Sequence, residues 1–264
     1  MRILKTLLML SLCIFFACSN QKSPLGAEVD SSNKVDNDAS SLSKIQPTKV
    51  FRTPGVITID GLEKDWKRAP KHKMRLEVNA ETPSPIENNF DLSSYFKMLW
   101  DDENLYFFVR IQDQEINTPS VPIDRLYEKD GLEIYLDGNN SKNVAVGPPG
   151  AIPPDAYDSN DDFIRFIPGE SNPLSAWGII NVSNFVFDVE TTSDGYTVEI
   201  KMPFADLPDF DPQGGHVFGL EFQVNDNDNN QRQNFLKWAS AIDESWFDPS
   251  LFGTAVLFDE MASE

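Results

Sequence analysis

This sequence predicts an all-β domain, an antiparallel β-sandwich, and three observations carry that prediction. Apolar and polar residues alternate along short segments. Clusters of Pro, Gly, Asn and Asp separate those segments. No long helical period stands out anywhere in the chain.

Each strand follows from its own alternation. Phe96 to Trp100, the turn Asp101-Asp102-Glu103-Asn104, and Leu105 to Ile111 make a hairpin whose second strand points Leu105, Phe107, Val109 and Ile111 to one side. Leu132, Ile134 and Leu136 alternate with Glu133, Tyr135 and Asp137, and Ile164 and Phe166 alternate with Phe163 and Arg165. Val198, Ile200 and Met202 alternate with Glu199 and Lys201. Phe218, Leu220, Phe222 and Val224 alternate with Gly219, Glu221 and Gln223. A closing strand is expected through about 253–258, and short helical turns only near 61–68 and 203–207. The expected architecture is therefore a jelly-roll or immunoglobulin-like sandwich with at most one or two such turns. The stretch 138–161 reads as a long Pro/Gly/Asn loop of the kind that borders sites.

The N-terminus reads as an address. Arg2 and Lys5 precede an apolar run from Leu7 to Phe16 that is too short to span a bilayer and has the form of a secretory leader. Phe15-Phe16-Ala17-Cys18 then resembles a lipobox, so residues 1–17 are expected to be a lipoprotein signal peptide and Cys18 the lipidated residue. Of the two cysteines, Cys13 lies inside that leader, which leaves no thiol in the body for a disulfide, a metal or a nucleophile. Residues 18–48 are polar and rich in Ser, Asn, Asp and Lys, a composition that reads as a flexible tether. Residues 49–260 are then one domain. The expected location is the bacterial cell envelope, with lipid anchoring at the outer membrane, since Ser19 after Cys18 is consistent with onward transport.

Charge excludes one class of partner. With 22 basic and 42 acidic residues the net charge is −20, a field that repels phosphate backbones, so nucleic acid is not expected. A neutral sugar or a divalent cation is compatible with it. On three separate strands the apolar set takes one face and leaves Glu133, Arg165 and Gln223 on the other. An ordinary half-buried strand also has a polar outer face, so periodicity alone does not make this a site.

Further markers supply the missing specificity. They are Ile59-Asp60-Gly61 with Trp66, Leu99 to Tyr106, Asp130-Gly131-Leu132-Glu133-Ile134-Tyr135-Leu136-Asp137, Gly195 to Ile200, Gly219 to Asp226, Trp246-Phe247-Asp248-Pro249 and Phe252-Gly253. In number and order they resemble a family 9 carbohydrate-binding module over roughly 55–258. The resemblance implies a β-sandwich that binds sugar chains, notably at their ends, between two aromatic walls. Tyr127 and Trp246 would be the walls, and Glu133, Arg165, Gln223 and Asp243 the polar floor. Flat rings suit the apolar C–H faces of a pyranose, while carboxylate, guanidinium and amide groups read its hydroxyl rim. Two positions depart from the family: one wall is Tyr127 where tryptophan is usual, and Asp243 stands where an amide is expected. The implied function is non-catalytic carbohydrate binding by an anchored lipoprotein, with oligo- or polysaccharide as ligand and glycoside hydrolases or glycan-uptake proteins as companions in polysaccharide catabolism.

Other readings compete with this one. Trp66, Trp100 and Trp238 are expected to be packing residues, and Trp177, after a Pro/Asn/Ser loop, is a candidate for the edge of the site. No cofactor is expected beyond structural calcium, for which family members give precedent and Asp226 and Asp228 offer hard oxygen ligands. Asp155, Asp158, Asp161 and Asp162 offer others, and ordinary turn chemistry is the plain alternative. A glycoside hydrolase would need two carboxyl groups about 5–10 Å apart, for which Glu133 with Asp130 or Asp137 are candidates. A haem or redox carrier would need axial ligands, for which Met98 and His72 are the hints.

Overall fold

The structure, a computed structural model, describes residues 46–80, 85–142, 157–228 and 230–261. The expected leader, Cys18, the tether through residue 45, Asp155 and most of the loop after Gly138 lie outside the described residues.

Among the described residues thirteen strands make one hydrogen-bonded sheet: β1 (Thr48–Arg52), β2 (His72–Met74), β3 (Leu76–Asn79), β4 (Leu92–Trp100), β5 (Asn104–Asp113), β6 (Gly131–Asp137), β7 (Asp161–Phe166), β8 (Leu174–Ser175), β9 (Val186–Thr192), β10 (Gly195–Pro203), β11 (Val217–Asp228), β12 (Gln231–Lys237) and β13 (Gly253–Met261). The main path runs β8-β7-β6-β11-β13-β1-β4-β5-β10-β9. Strands β12 and β3 extend from β11, and β2 lies on β4. The path curls over, so that β4, β5 and β10 face β6, β7 and β11. Phe96 of β4 stacks on Phe222 of β11 with ring centroids 3.9 Å apart, and Phe107 of β5 meets the same ring at 5.6 Å. The core between these layers is the set that alternation assigned inward, including Leu105, Val109, Leu132, Ile134, Ile164, Val198, Ile200, Leu220 and Val224.

Two expectations need correction. The sheet is mixed, not purely antiparallel: β1 runs parallel to both of its neighbours, β13 and β4. Tight turns force antiparallel neighbours, but β1 is joined to β4 and β13 only through long stretches of chain, so no turn dictates its direction. It also begins at Thr48, one residue inside the segment read as tether. The described residues hold five short 3₁₀ turns rather than one or two: Glu63–Trp66, Ile123–Glu128, Val182–Asn184, Phe204–Asp206 and Pro249–Leu251. Three to six residues cannot produce a helical period. Local chemistry forms these turns instead, as where the Asn181 side chain accepts from Ser183 N and Asp248 accepts from Ser250 N.

Buried carboxylates tie the loops to the strands. Glu199 on β10 accepts from Trp66 Nε1 at 2.7 Å and from the amides of Asp60 and Gly61 at 2.8 Å each, which clamps the segment before β2 onto the outer face of β4, β5 and β10. Gly61 is required there. Its φ is +71°, and a Cβ would fall 2.8 Å from Glu190 Cβ. Asp162 on β7 accepts from the amides of Trp177, Ile179 and Ile180, and Glu221 on β11 from those of Trp238, Ala239 and Ser240. Each such bond satisfies a loop amide that burial would otherwise strand. Part of the chain's acidity is therefore spent inside the molecule on fixing loops.

Candidate functional site

Strand register builds the floor. β6 lies between β7 and β11, with Glu133 directly opposite Arg165 on one side and Gln223 on the other. Each points away from the core, because its strand neighbours Leu132, Ile134, Ile164, Phe166, Phe222 and Val224 point into it. Three polar side chains that share a face by alternation thus stand in one row across three strands.

Glu133 is the hub of that row. Its Oε1 accepts from Arg165 Nε at 2.6 Å and from Asn225 Nδ2 at 3.3 Å. Its Oε2 accepts from the Tyr135 hydroxyl and from Gln223 Nε2 at 3.3 Å. Four donors use the acceptor capacity of a carboxylate. Glu133 therefore fixes the arginine and the amide in place. Burial alone would raise the Glu133 carboxyl. The Arg165 charge, the hydrogen bonds from Tyr135 and Arg165, and the Arg232 charge together outweigh it and leave the group below the usual carboxylate range.

Loops raise the walls. Tyr127 comes from the turn Ile123–Glu128, and Asp243 and Trp246 from the loop after β12. Glu221 holds the start of that loop, as described above. Buried Lys237 holds its middle by donating to Ile242 O at 2.7 Å and to Ser245 Oγ, while the Tyr157 hydroxyl donates to Ser245 O. The result is a cavity of about 530 Å³ lined by Tyr127, Glu133, Arg165, Gln223, Asp243 and Trp246 together. Trp246 remains 39 % exposed, so its ring is available at the mouth.

Sequence reasoning missed several lining residues: Arg232, Tyr135 and Phe163. Trp177, a candidate for the edge, also lines the cavity, with its indole stacked edge-on to Phe163 and Tyr157. Arg232 bears on the departure at Asp243. Its guanidinium lies 4.0 Å from the Asp243 carboxylate and 5.3 Å from the centre of the Tyr127 ring. The donor lost with the expected amide is thus matched by a guanidinium beside it. Arg232 went unseen because β12 follows a run of Asn and Asp that reads as a turn. The hairpin turn is there, at Asn230 with φ +60°, but a strand resumes at once.

A second cluster closes one end of the core. Asp113, Asp130 and Asp226 continue the inward sets of β5, β6 and β11, and each offers a carboxylate oxygen within 4.8 Å of the others. Burial, with repulsion from neighbouring acids, holds Asp113 and Asp130 well above the usual carboxylate range and pushes Asp226 up to about 8. Asp113 Oδ2 is buried without a hydrogen-bond partner among the described residues, as is the Tyr196 hydroxyl. Of the two calcium candidates, Asp226 belongs to this set. Asp228 does not, although its charge acts on both Asp113 and Asp226. Of the alternative acids, Asp162 is committed to loop amides and Asp161 accepts from Asp158 N.

The same geometry bears on the rival chemistries. Asp130, just before β6, continues the inward set of Leu132 and Ile134 while Glu133 points outward, and Asp137 is four residues along, roughly 13 Å at strand rise, so neither flanks a bond beside Glu133. Met98 is a buried core residue and His72 lies flat on Phe96, centroids 5.1 Å apart.

A β-sandwich that presents an aromatic-walled, hydrogen-bonding cavity on the outside of one layer has the build of a ligand-binding module. The sequence profile described as carbohydrate family 9 binding domain-like matches residues 59–260, and the chain belongs to that family. It is 31 % identical over 162 residues to endo-1,4-beta-xylanase A of Thermoanaerobacterium saccharolyticum and 32 % identical over 162 residues to exoglucanase XynX of Acetivibrio thermocellus. These matches cover 61 % of this chain but only 12 % and 13 % of those enzymes. In three dimensions it resembles a family 9 carbohydrate-binding module from Caldicellulosiruptor kristjanssonii in complex with cellotriose. The TM-score is 0.63 at 24 % identity, over 81 % of this chain and 94 % of that one.

Proposed function

We propose that this protein binds carbohydrate without transforming it, in the cavity between Tyr127 and Trp246. The observation that carries the reading is the register-aligned row of Arg165, Glu133 and Gln223 beneath two aromatic residues. A sugar ring would lie with its C–H faces against Tyr127, Trp246 and Trp177. Arg165 would donate to ring or hydroxyl oxygens, Asp243 would accept from hydroxyls, and Gln223 would do either. Because the relatives include a xylanase and an exoglucanase, and a fold neighbour is in complex with cellotriose, β-1,4-linked xylo- and cello-oligosaccharides are the first ligands to test. In the cell we infer a lipoprotein anchored through Cys18 at the outer membrane, which captures oligo- or polysaccharide for glycoside hydrolases or uptake proteins.

The test is isothermal titration of the protein against xylo-, cello- and manno-oligosaccharides. The expected dissociation constants are micromolar to millimolar, about −8 to −4 kcal/mol. Absence of binding to every member of the panel overturns the reading.

We further infer that Asp113, Asp130 and Asp226 hold a calcium ion. Hard carboxylate oxygens converge there, Asp113 Oδ2 has no hydrogen-bond partner among the described residues, and a cation would supply countercharge to the buried cluster. Calcium at a hundred times its dissociation constant is expected to stabilise the fold by about 2.7 kcal/mol. Melting temperature should rise by several degrees with calcium, return on chelation, and stop responding in Asp226→Asn. A melting temperature indifferent to calcium and chelator counts against the site.

A further inference from the structure

A second groove, of about 580 Å³, lies on the outer face of the other layer. Tyr95 and Lys73 are cross-strand partners, as are Tyr95 and Arg110, so the three form a row over β2, β4 and β5. Their strand neighbours Met74, Phe96, Val109 and Ile111 point into the core, which therefore separates this groove from the cavity of Glu133. Ser93 and Gln112 form the next row, and Lys71 and Arg75 complete the basic rim.

Its charge is opposite to that of the molecule. Lys71, Lys73, Arg75 and Arg110 line the groove, with no acid among the described lining residues, on a chain of net charge −20. Two carboxylates stand at its margin and are engaged: Glu63 accepts from the Tyr95 hydroxyl at 2.8 Å, and Asp194 accepts from Arg110. Arg110 is held further by its bonds to the carbonyls of Ile111 and Tyr196 at 2.9 and 3.1 Å. The Lys71 ammonium caps the Tyr95 ring at 3.7 Å. Lys73 and Arg75 are exposed and form no ion pair with any described residue. On a molecule of net negative charge, a local cluster of cations of this kind favours an anionic group.

We propose that this groove is a second binding site and that it takes an acidic saccharide, a glycan bearing uronate carboxylates. Concave shape favours a chain over a flat membrane. Hydroxyl and amide groups from Ser93 and Gln112 suit sugar hydroxyls, while Lys73 and Arg75 meet the carboxylates. The chain would then hold a neutral sugar on one layer and a charged segment on the other. That arrangement fits a polysaccharide whose backbone carries acidic substituents. Binding of the charged segment in this groove does not require a sugar in the Glu133 cavity.

Titration of the full chain with oligogalacturonate at low and high salt tests it, beside Lys73→Glu/Arg75→Glu and Trp246→Ala variants. Both charge reversals are at exposed positions, and an unchanged melting temperature verifies their fold. Binding should weaken with salt, fall roughly tenfold or more in the charge-reversal variant and persist in Trp246→Ala. The proposal is overturned if oligogalacturonate does not bind, if binding survives the reversals or is lost in Trp246→Ala, or if the reversals instead abolish association with phosphatidylglycerol vesicles while leaving saccharide binding intact.

Discussion

Replacing Glu133 with alanine is expected to cost about 3–5 kcal/mol of folding stability and to abolish sugar binding, the typical outcome when one partner of a buried ion pair is removed. The size of the effect follows from the hub. Loss of the carboxylate leaves the Arg165 side chain, only 17 % exposed, without its counter-ion, and takes the acceptor from Tyr135, Gln223 and Asn225 together. Denaturant midpoints at pH 7 measure it; a loss below about 1 kcal/mol, the average for any substitution, shows that the hub is dispensable. A pH dependence accompanies the prediction. Glu133 is depressed in the folded state, so its contribution is present above the ordinary glutamate pKa and is lost as pH falls through the lower, folded-state value. The native protein should lose stability on acidification in that range, and Glu133→Ala should lack this component.

Trp246→Ala should separate binding from folding. Trp246 is 39 % exposed and packs edge-on against Phe247, with centroids 4.6 Å apart, so it supports little of the core. Truncation is expected to change stability by no more than about 0.5 kcal/mol. Affinity for the bound oligosaccharide should drop by about 2 kcal/mol, roughly thirtyfold, the usual loss for an aromatic anchor at the centre of a contact. Unchanged affinity, measured by titration on a protein with an unchanged melting temperature, removes Trp246 from the site.

How much of this was legible beforehand depended on what each residue's signal was. Alternation exposed the strands that bury one face, and with them the shared outer face of Glu133, Arg165 and Gln223. Their alignment in a row was not legible, because register is set by pairing between segments far apart in sequence. Asp243 and Trp246 sit in an irregular loop with no period to read, and only the family resemblance singled them out. β1 was hidden by its brevity and by a direction that no turn dictates. Arg232 was hidden in a polar run in which strand and turn compositions look alike. Asp113, and the place of Asp130 beside it, escaped for the opposite reason. They extend apolar alternations by one more inward position, where a pattern reader stops at the last hydrophobic residue although the strand and its neighbours carry on.

Sugar recognition of this kind requires a ring seated over the Arg165–Glu133–Gln223 row. Its most direct measurement is the NMR spectrum of the protein titrated with cellotriose and xylotriose. The indole N–H signals of Trp246 and Trp177 and the side-chain amide of Gln223 should shift together and saturate at one ligand per chain. A ligand that binds while those three signals stay still, moving resonances elsewhere on the sandwich, would contradict it.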